Sequence, residues 1–252
     1  MNDDELLRYS RHIMLPDMDI AGQEKLLNAK VLLIGAGGLG SPIALYLGAA
    51  GVGQLTIVDD DQVDNSNLQR QIAHGWEDVG RNKATSAAAA VRALNTGLKL
   101  IAIDRRLDAV ELAAQVAAAD LVLDATDNAE TRFLLNDLCW QHRTVLVSGA
   151  AIRWEGQVSV FDPNQPDSPC YQCLYPNTNP DNPLNCSENG VISPLVGVIG
   201  SMQALEAIKC LTGVGKSLVG TVLFFDGKFT DWQRIGLSKN PACPICADAS
   251  RA

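Results

Sequence analysis

The sequence predicts an α/β fold, a doubly wound, mostly parallel sheet extended by antiparallel strands, in one domain of 252 residues. Three observations carry this. Between Ala29 and Val147, apolar runs of strand length alternate with helical patterns, the order that a parallel sheet with crossover helices needs. The first run, Val31 to Ile34, leads into Gly35-Ala-Gly-Gly-Leu-Gly40, a glycine turn that opens a helix. Past Gly149 the texture changes, and residues 156–161 alternate in the manner of an antiparallel strand. The core is therefore a Rossmann-like sheet with an addition at one edge, and short connections make its crossovers right-handed.

Residues 5–15 read as a short amphipathic helix carrying Arg8 and Arg11, within an N-terminal segment, 1–28, that lies outside the core. Residues 29–150 form the Rossmann-like part. Its strands are expected at 31–34, 55–58, 98–103, 121–123 and 144–147, and its later helices at 83–94, 109–118 and 130–140. Pro42 fits the first turn of the helix after the glycines, where a missing N–H costs nothing. The remaining part, 151–252, holds a strand at 156–161 and a stretch rich in Pro, Asn and Asp at 162–189. A loop of that length in a compact chain is usually functional or mobile. A helix at 195–211, a strand at 221–225 and a cysteine-bearing tail complete the chain.

With 47% hydrophobic residues the chain can bury a sizeable core, and a net charge of −9 argues against nucleic acid or an anionic membrane as partner. No charge falls between Val31 and Val58, yet seven glycines and Pro42 make this a strand-turn-helix-strand unit rather than a membrane span. The polar start Met1-Asn-Asp-Asp-Glu5 is unlike a signal peptide, so a cytoplasmic location is expected.

Gly35, Gly37 and Gly40 match the G-x-G-x-x-G pattern, in which missing Cβ atoms allow a tight turn, close approach of backbone to phosphate, and close helix packing; Gly38 lies within the same loop. The helix amides that follow face an anion. Asp59 stands roughly 20 residues past the last glycine, the offset of an acid that bonds a ribose hydroxyl. A bound nucleotide follows, and the loop alone points to NAD or FAD.

Of seven cysteines, four sit as Cys170-x-x-Cys173 and Cys243-x-x-Cys246. Thiolates paired in this way hold tetrahedral Zn²⁺, and two pairs complete a closed site with no position for water. Their separation is far wider than in a zinc finger, which predicts a structural staple between the tail and the long loop. Cys139 and Cys210 read as small buried hydrophobes. The histidines His12, His74 and His142 have no ligand spacing and read as surface or packing residues. Gly213-Val-Gly-Lys-Ser217 lacks the first glycine of a P-loop and reads as a helix-ending turn.

Ser66-Asn67-Leu68-Gln69-Arg70-Gln71 has no use in a dehydrogenase. Together with Arg8-Tyr-Ser-Arg11, the glycine loop, Lys83, Asp124-Ala-Thr-Asp127-Asn128, residues 148–157, both cysteine pairs and residues 197–209, it resembles the MoeB/ThiF/HesA family, bacterial relatives of ubiquitin-activating enzymes. The resemblance covers nearly the whole chain. It implies that ATP with Mg²⁺ replaces NAD at the glycine loop, with Ser66, Asn67, Leu68, Gln69 and Arg70 as nucleotide-binding residues. Attack by a carboxylate concentrates charge on the α-phosphate, so cations and fixed donors are needed around it. Arg70 and Lys83 fit the cation roles, Asn67 a neutral donor, Asp127 a Mg²⁺ ligand, and Asn128 a nucleotide contact. The plainer readings are that Asp127 or Asn128 caps the next helix, and that Lys83 is solvated.

The resemblance further implies a homodimer in which Arg11 reaches into the partner subunit's ATP site. It implies a structural zinc, and a ubiquitin-like sulfur carrier whose C-terminal glycine is adenylated, docked on residues 151–252. Residues 148–157, with Ile152-Arg153, are more similar to the molybdopterin-synthase activators than to the thiamine-pathway enzymes; a tRNA-thiolation carrier is the other alternative. Cys186 matches a cysteine that in some relatives links to the carrier or transfers sulfur and in others is dispensable. The short tail after Cys246 leaves sulfur to a separate persulfide donor. An NAD-dependent oxidoreductase would leave Arg70, Lys83 and the cysteine pairs without roles, and a silent adaptor would be expected to lose Arg70 or Asp127.

Overall fold

The computed structural model describes residues 1–176 and 190–247. Its strands are β1 (Lys30–Ile34), β2 (Gln54–Val58), β3 (Lys99–Ile103), β4 (Leu121–Asp124), β5 (Val145–Ile152), β6 (Glu155–Phe161), β7 (Thr221–Asp226) and β8 (Asp231–Gly236). They form one sheet in the order β3-β2-β1-β4-β5-β6-β7-β8. Pairing is parallel from β3 through β5 and antiparallel from β5 through β8. The two halves share β5, whose first residues pair with β4 and whose residues 146–152 pair with β6. Its span runs past residue 150, so the line between the two parts falls inside a strand. The strand β8 was not expected from the sequence; all six of its residues are exposed, which removes the alternation that would reveal it.

The helices are α1 (Asp3–Arg8), α2 (Ser10–Ile13), α3 (Asp19–Asn28), α4 (Gly40–Ala50), α5 (Lys83–Leu94), α6 (Ala109–Ala117), α7 (Ala129–His142), α8 (Tyr171–Leu174) and, closing the series, α9 (Ser193–Thr212). The single helix expected at 5–15 is two short ones, broken at Tyr9. Tyr9 is 5% exposed, its ring lies against Gly51, and its hydroxyl accepts from Asn95 Nδ2 at 3.0 Å. Anchoring that ring fixes the backbone at the break. The helix α3 escaped sequence reading because its buried face is Gly22, Gln23 and Leu26, two of which carry no apolar signal.

Continuous burial of β1, β2 and β4 follows from helices on both faces, as a parallel sheet requires. One core joins Val31, Leu33, Leu55, Ile57, Leu121 and Leu123 to α4, α5 and α9; the other joins Leu32, Ile34, Val122 and Leu146 to α6 and α7. The helix α9 is long and apolar enough to cross a bilayer by composition, but it packs Leu195, Val196, Ile199 and Ala204 into the first core. Gly213, at φ +80°, ends it with an amide bond to Lys209 O at 2.8 Å, as expected of a helix-ending turn.

Candidate functional site

The glycine loop lies at the carboxyl end of β1. Gly35 has φ +92°, and a Cβ there would stand 2.7 Å from Ala125 O. A Cβ on Gly40 would stand 2.0 Å from Gly35 O, so the turn closes on itself only because both residues lack side chains. Ala36, between them, is held on both sides. Its amide donates to Asp59 Oδ2 at 2.7 Å, and its carbonyl accepts from His74 Nε2 at 2.9 Å. The other ring nitrogen of His74 meets Ser86 Oγ at 2.8 Å. Donation to a carbonyl requires hydrogen on Nε2, which leaves Nδ1 to accept from the serine. Burial lowers the His74 pKa and favours this neutral state. The packing role expected for His74 is thus a clamp on the loop.

A cavity of about 350 Å³ opens above the loop, between the carboxyl ends of β1, β2 and β4. Ligands in open α/β sheets lie at this edge. Gly35, Gly37, Gly38, Asp59, Arg70, Lys83, Asp127 and Asn128 all line it. Lys83 starts α5 with 7% exposure, and its Nζ sits 2.7 Å from Asp61 Oδ2; it is a buried cation at the wall rather than a solvated helix residue. Arg70 Nη1 donates to Ser66 O at 3.1 Å. Burial raises the Asp59 pKa, against the amide bonds from Ala36 and Asp61 that hold its carboxylate.

Other expected residues stand apart from the cavity wall. Gly40 packs against Gly35 beneath the loop. Ser66, Asn67, Leu68 and Gln69 are not among the residues lining the cavity and instead form the turn that presents Arg70. Asn67 Oδ1 accepts from Asp64 N at 3.0 Å, and Asn67 O accepts from the amides of Arg70 and Gln71. Asn128 lines the cavity but is also the α7 cap, its Oδ1 accepting from Thr131 N at 2.9 Å. Arg11 is exposed on α2, outside this chain's cavity. Cys186 lies outside the described residues.

Sequence reading missed the base of the Asp127 turn. Asp124, 1% exposed, ends β4. Its Oδ1 accepts from Thr126 N at 3.0 Å and Thr126 Oγ1 at 2.6 Å, and its Oδ2 from Ser148 Oγ at 2.9 Å. Arg132, which also lines the cavity, donates to Thr126 O and lies 3.8 Å from Asp124 Oδ2. A buried acid fixed in this way shapes the turn that carries Asp127 to the rim. An acid at the end of an apolar strand was the available signal. The apolar end of the cavity, with Leu107, Leu112 and Leu134, drew on segments without a motif.

Beside Trp140, near the C-terminal end of α7, Cys170, Cys173, Cys243 and Cys246 bring their sulfurs within 4.8 Å of one another. The close pairs are 3.6 Å for Cys170–Cys243, 3.3 Å for Cys173–Cys246 and 4.0 Å for Cys170–Cys173. Four thiolates about 2.3 Å from a tetrahedral Zn²⁺ stand about 3.8 Å apart, so the cluster fits zinc. Asn240 N donates to Cys173 Sγ at 3.3 Å, supporting the charge of a thiolate. Burial and the neighbouring Cys173 thiol push the Cys170 thiol up, so a bound cation is what would displace its proton near neutral pH. Cys139 is 2% exposed and Cys210 is pushed up to about 12 by burial, which leaves both as unreactive packing residues.

Comparison with known proteins agrees with this geometry. Residues 9–245 match the ThiF family. The chain is 46% identical to the molybdopterin-synthase adenylyltransferase of Escherichia coli K12, over 98% of each chain. It is 44% identical to the sulfur carrier protein ThiS adenylyltransferase of the same organism, over 99% of this chain and 98% of that one. It spans 60% of the longer adenylyltransferase and sulfurtransferase MOCS3 of Caenorhabditis briggsae, at 44% identity. Among solved structures, E. coli MccB with MccA-N7isoASN superposes with a TM-score of 0.85 at 21% identity, over 98% of this chain and 76% of that one, a likeness of fold.

Proposed function

The chain belongs to the ThiF family, and on that premise we propose that it is a nucleotidyltransferase that adenylates the C-terminal glycine of a ubiquitin-like sulfur carrier. One carboxylate oxygen of the carrier attacks the α-phosphorus of ATP. The bond from that phosphorus to the bridging oxygen of the β-phosphate breaks, pyrophosphate leaves with the electron pair, and a carrier acyl-adenylate remains. The observation that carries this reading is the cavity, where four segments distant in sequence bring a glycine loop, Arg70, Lys83 and Asp127 to one wall.

Arg70 and Lys83 stabilise the charge that gathers on the transferring phosphoryl group, and Asp61 holds the ammonium in place beforehand. Asp127 and the neighbouring turn would hold a divalent cation, which when bound neutralises phosphate charge. Asp59 keeps the loop in shape while its remaining lone pairs accept from a ribose hydroxyl. The leucines at the far end suit a flat base. The cysteine cluster would hold a structural zinc that ties the tail to α8.

Arg11 acts in the partner's cavity within a homodimer. Leu7, Met14 and Leu15 around it, and Ile72 and Trp76 just beyond Arg70, are exposed large apolar side chains, which suits burial against a second copy. The carrier is most consistent with molybdopterin synthesis, on the strength of residues 148–157. Identities of 46% and 44% do not separate it from the thiamine-pathway carrier. Sulfur arrives at the acyl-adenylate from a separate persulfide donor, with the enzyme in the cytoplasm. Cys186 links to the carrier, takes part in sulfur transfer or is dispensable, and a Cys186→Ala variant assayed separately for adenylation and sulfur transfer settles its role.

The test is ATP–pyrophosphate exchange with purified Gly-Gly-ended carriers of the molybdopterin, thiamine and tRNA-thiolation routes. Exchange that depends on one of them identifies the carrier; absence with all of them, alongside tight NAD binding, would overturn the proposal. Mixing Arg11→Ala and Arg70→Ala subunits should restore part of the activity, because each heterodimer keeps one intact cavity. No recovery in proven heterodimers removes the role of Arg11 in trans.

A further inference from the structure

The cavity wall holds a buried polar group, the Gln71 carboxamide, for which the roles above give no use. Gln71 follows Arg70, is 4% exposed, and lines the cavity. Its backbone is fixed on both sides, the amide donating to Asn67 O at 2.9 Å and the carbonyl accepting from His74 N at 3.1 Å. Among the described residues its side-chain oxygen is buried without a hydrogen-bond partner. Its Nε2 lies against the middle of the glycine loop, 3.4 Å from where a Cβ on Gly37 would stand. A buried carboxamide oxygen that lacks a donor is a standing penalty, and leucine, of similar size, would avoid it.

The chemistry of a triphosphate shows what completes it. A phosphate oxygen only accepts, so it can take the Nε2 hydrogens but cannot satisfy Oε1. Beside a nucleotide triphosphate, donors come from the waters that a small divalent cation keeps in its shell. We infer that Gln71 grips both groups, Nε2 donating to a phosphate oxygen seated over Gly37 and Oε1 accepting from a cation-bound water. The side chain then sets the triphosphate against the cation that Asp127 would hold, and makes Gln71 a contact for the leaving pyrophosphate half of ATP. This rests on the nucleotide reading above.

The experiment compares Gln71→Leu and Gln71→Met with the parent, each measured for ligand-free melting and for binding of Mg-ATP and of AMP. Both variants are expected to melt at or above the parent, since the orphaned oxygen is gone. Their Mg-ATP Kd is expected to rise roughly 10- to 100-fold, the range of hydrogen bonds to charged groups, with AMP binding unchanged. They should also need more Mg²⁺ for half-maximal ATP binding. An unchanged Mg-ATP Kd, or equal losses for ATP and AMP with a lowered melting temperature, would overturn the inference and leave Gln71 a packing residue. A parent that binds no Mg-ATP would overturn the nucleotide reading along with it.

Discussion

The cavity and the cysteine cluster solve opposite problems. The cavity, at the carboxyl ends of β1, β2 and β4, is built from groups whose bonding is left partly unfinished: loop amides, the Arg70 and Lys83 cations, an exposed Asp127 and a buried carboxamide oxygen. In the cluster, packed on Trp140 of α7, four thiols close on one another with nothing left over, and Cys170, Cys243 and Cys246 are almost wholly buried. The difference teaches which site can do chemistry. An open set of donors and charges can change partners during a reaction, whereas a closed tetrahedral set can only hold.

The comparison predicts that damage at each site reads out differently. Removing metal from the cysteine cluster, by chelation or by Cys243→Ser, should have the largest effect on stability. A ligand present at about 1,000 times its Kd contributes about 4 kcal/mol. At 2–4 °C per kcal/mol for a chain of this size, Tm should fall by roughly 8–16 °C, as calorimetry would register, while adenylation well below the new Tm persists. An unchanged Tm would mean the cluster holds no metal.

Arg70→Ala should do the reverse. Loss of one fixed donor or cation at a transition state costs roughly 10²–10³-fold in rate, to be measured as carrier-dependent exchange, with Tm shifting by no more than about 2 °C. A large Tm loss with parental exchange would dissolve the contrast between the two sites.

Glycines sharpen it further. Gly40→Ala sets a Cβ 2.0 Å from Gly35 O, a backbone atom that cannot step aside. A cost of about 1–3 kcal/mol is expected by thermal melting, with nucleotide binding lost in parallel. Gly197→Ala, on α9 with no atom within 4 Å of the added carbon, should be neutral or stabilising by up to about 1 kcal/mol. Equal effects at the two sites would contradict the close packing assigned to the loop.

The smallest effect is a pH dependence. Burial lowers the His74 pKa from its ordinary 6.5, so the unfolded chain takes up a proton that the folded loop clamp excludes. Stability is therefore complete above pH 6.5 and declines as pH falls below it, by at most about 1.4 kcal/mol per pH unit. A His74→Gln variant should lose that slope in melts between pH 7.5 and 5.5; an identical slope would assign it to other groups.

How much of this could be read in the sequence follows from the physics of each part. The parallel half was legible because β1, β2 and β4 are buried on both faces and the glycines between them answer to steric need. The helix α5 was placed at its observed ends because its alanine-rich run from Lys83 to Leu94 reads as helical. Neither α3 nor β8 was legible, the first burying glycine and glutamine, the second burying nothing. In the cavity, residues with motif spacing were found, yet Asn67 and its neighbours proved to build the turn under Arg70. Asp124 and Gln71 stood inside quoted motifs, but they and Arg132 matter through burial and hydrogen bonds across the fold, which the motifs alone do not reveal. The cysteine cluster was legible in full, since x-x spacing fixes two ligands at a time and needs only the tail to return.

The most direct test of the central claim follows an oxygen atom. A carrier whose C-terminal carboxylate is labelled with ¹⁸O is incubated with Mg-ATP and the enzyme, and the acyl-adenylate is then released by a thiol nucleophile. Attack by that carboxylate on the α-phosphorus predicts AMP carrying one ¹⁸O, with unlabelled pyrophosphate. Labelled inorganic phosphate together with ADP would show attack at the γ-phosphate, and unlabelled AMP would show that the carboxylate is not the nucleophile; either result would contradict the account.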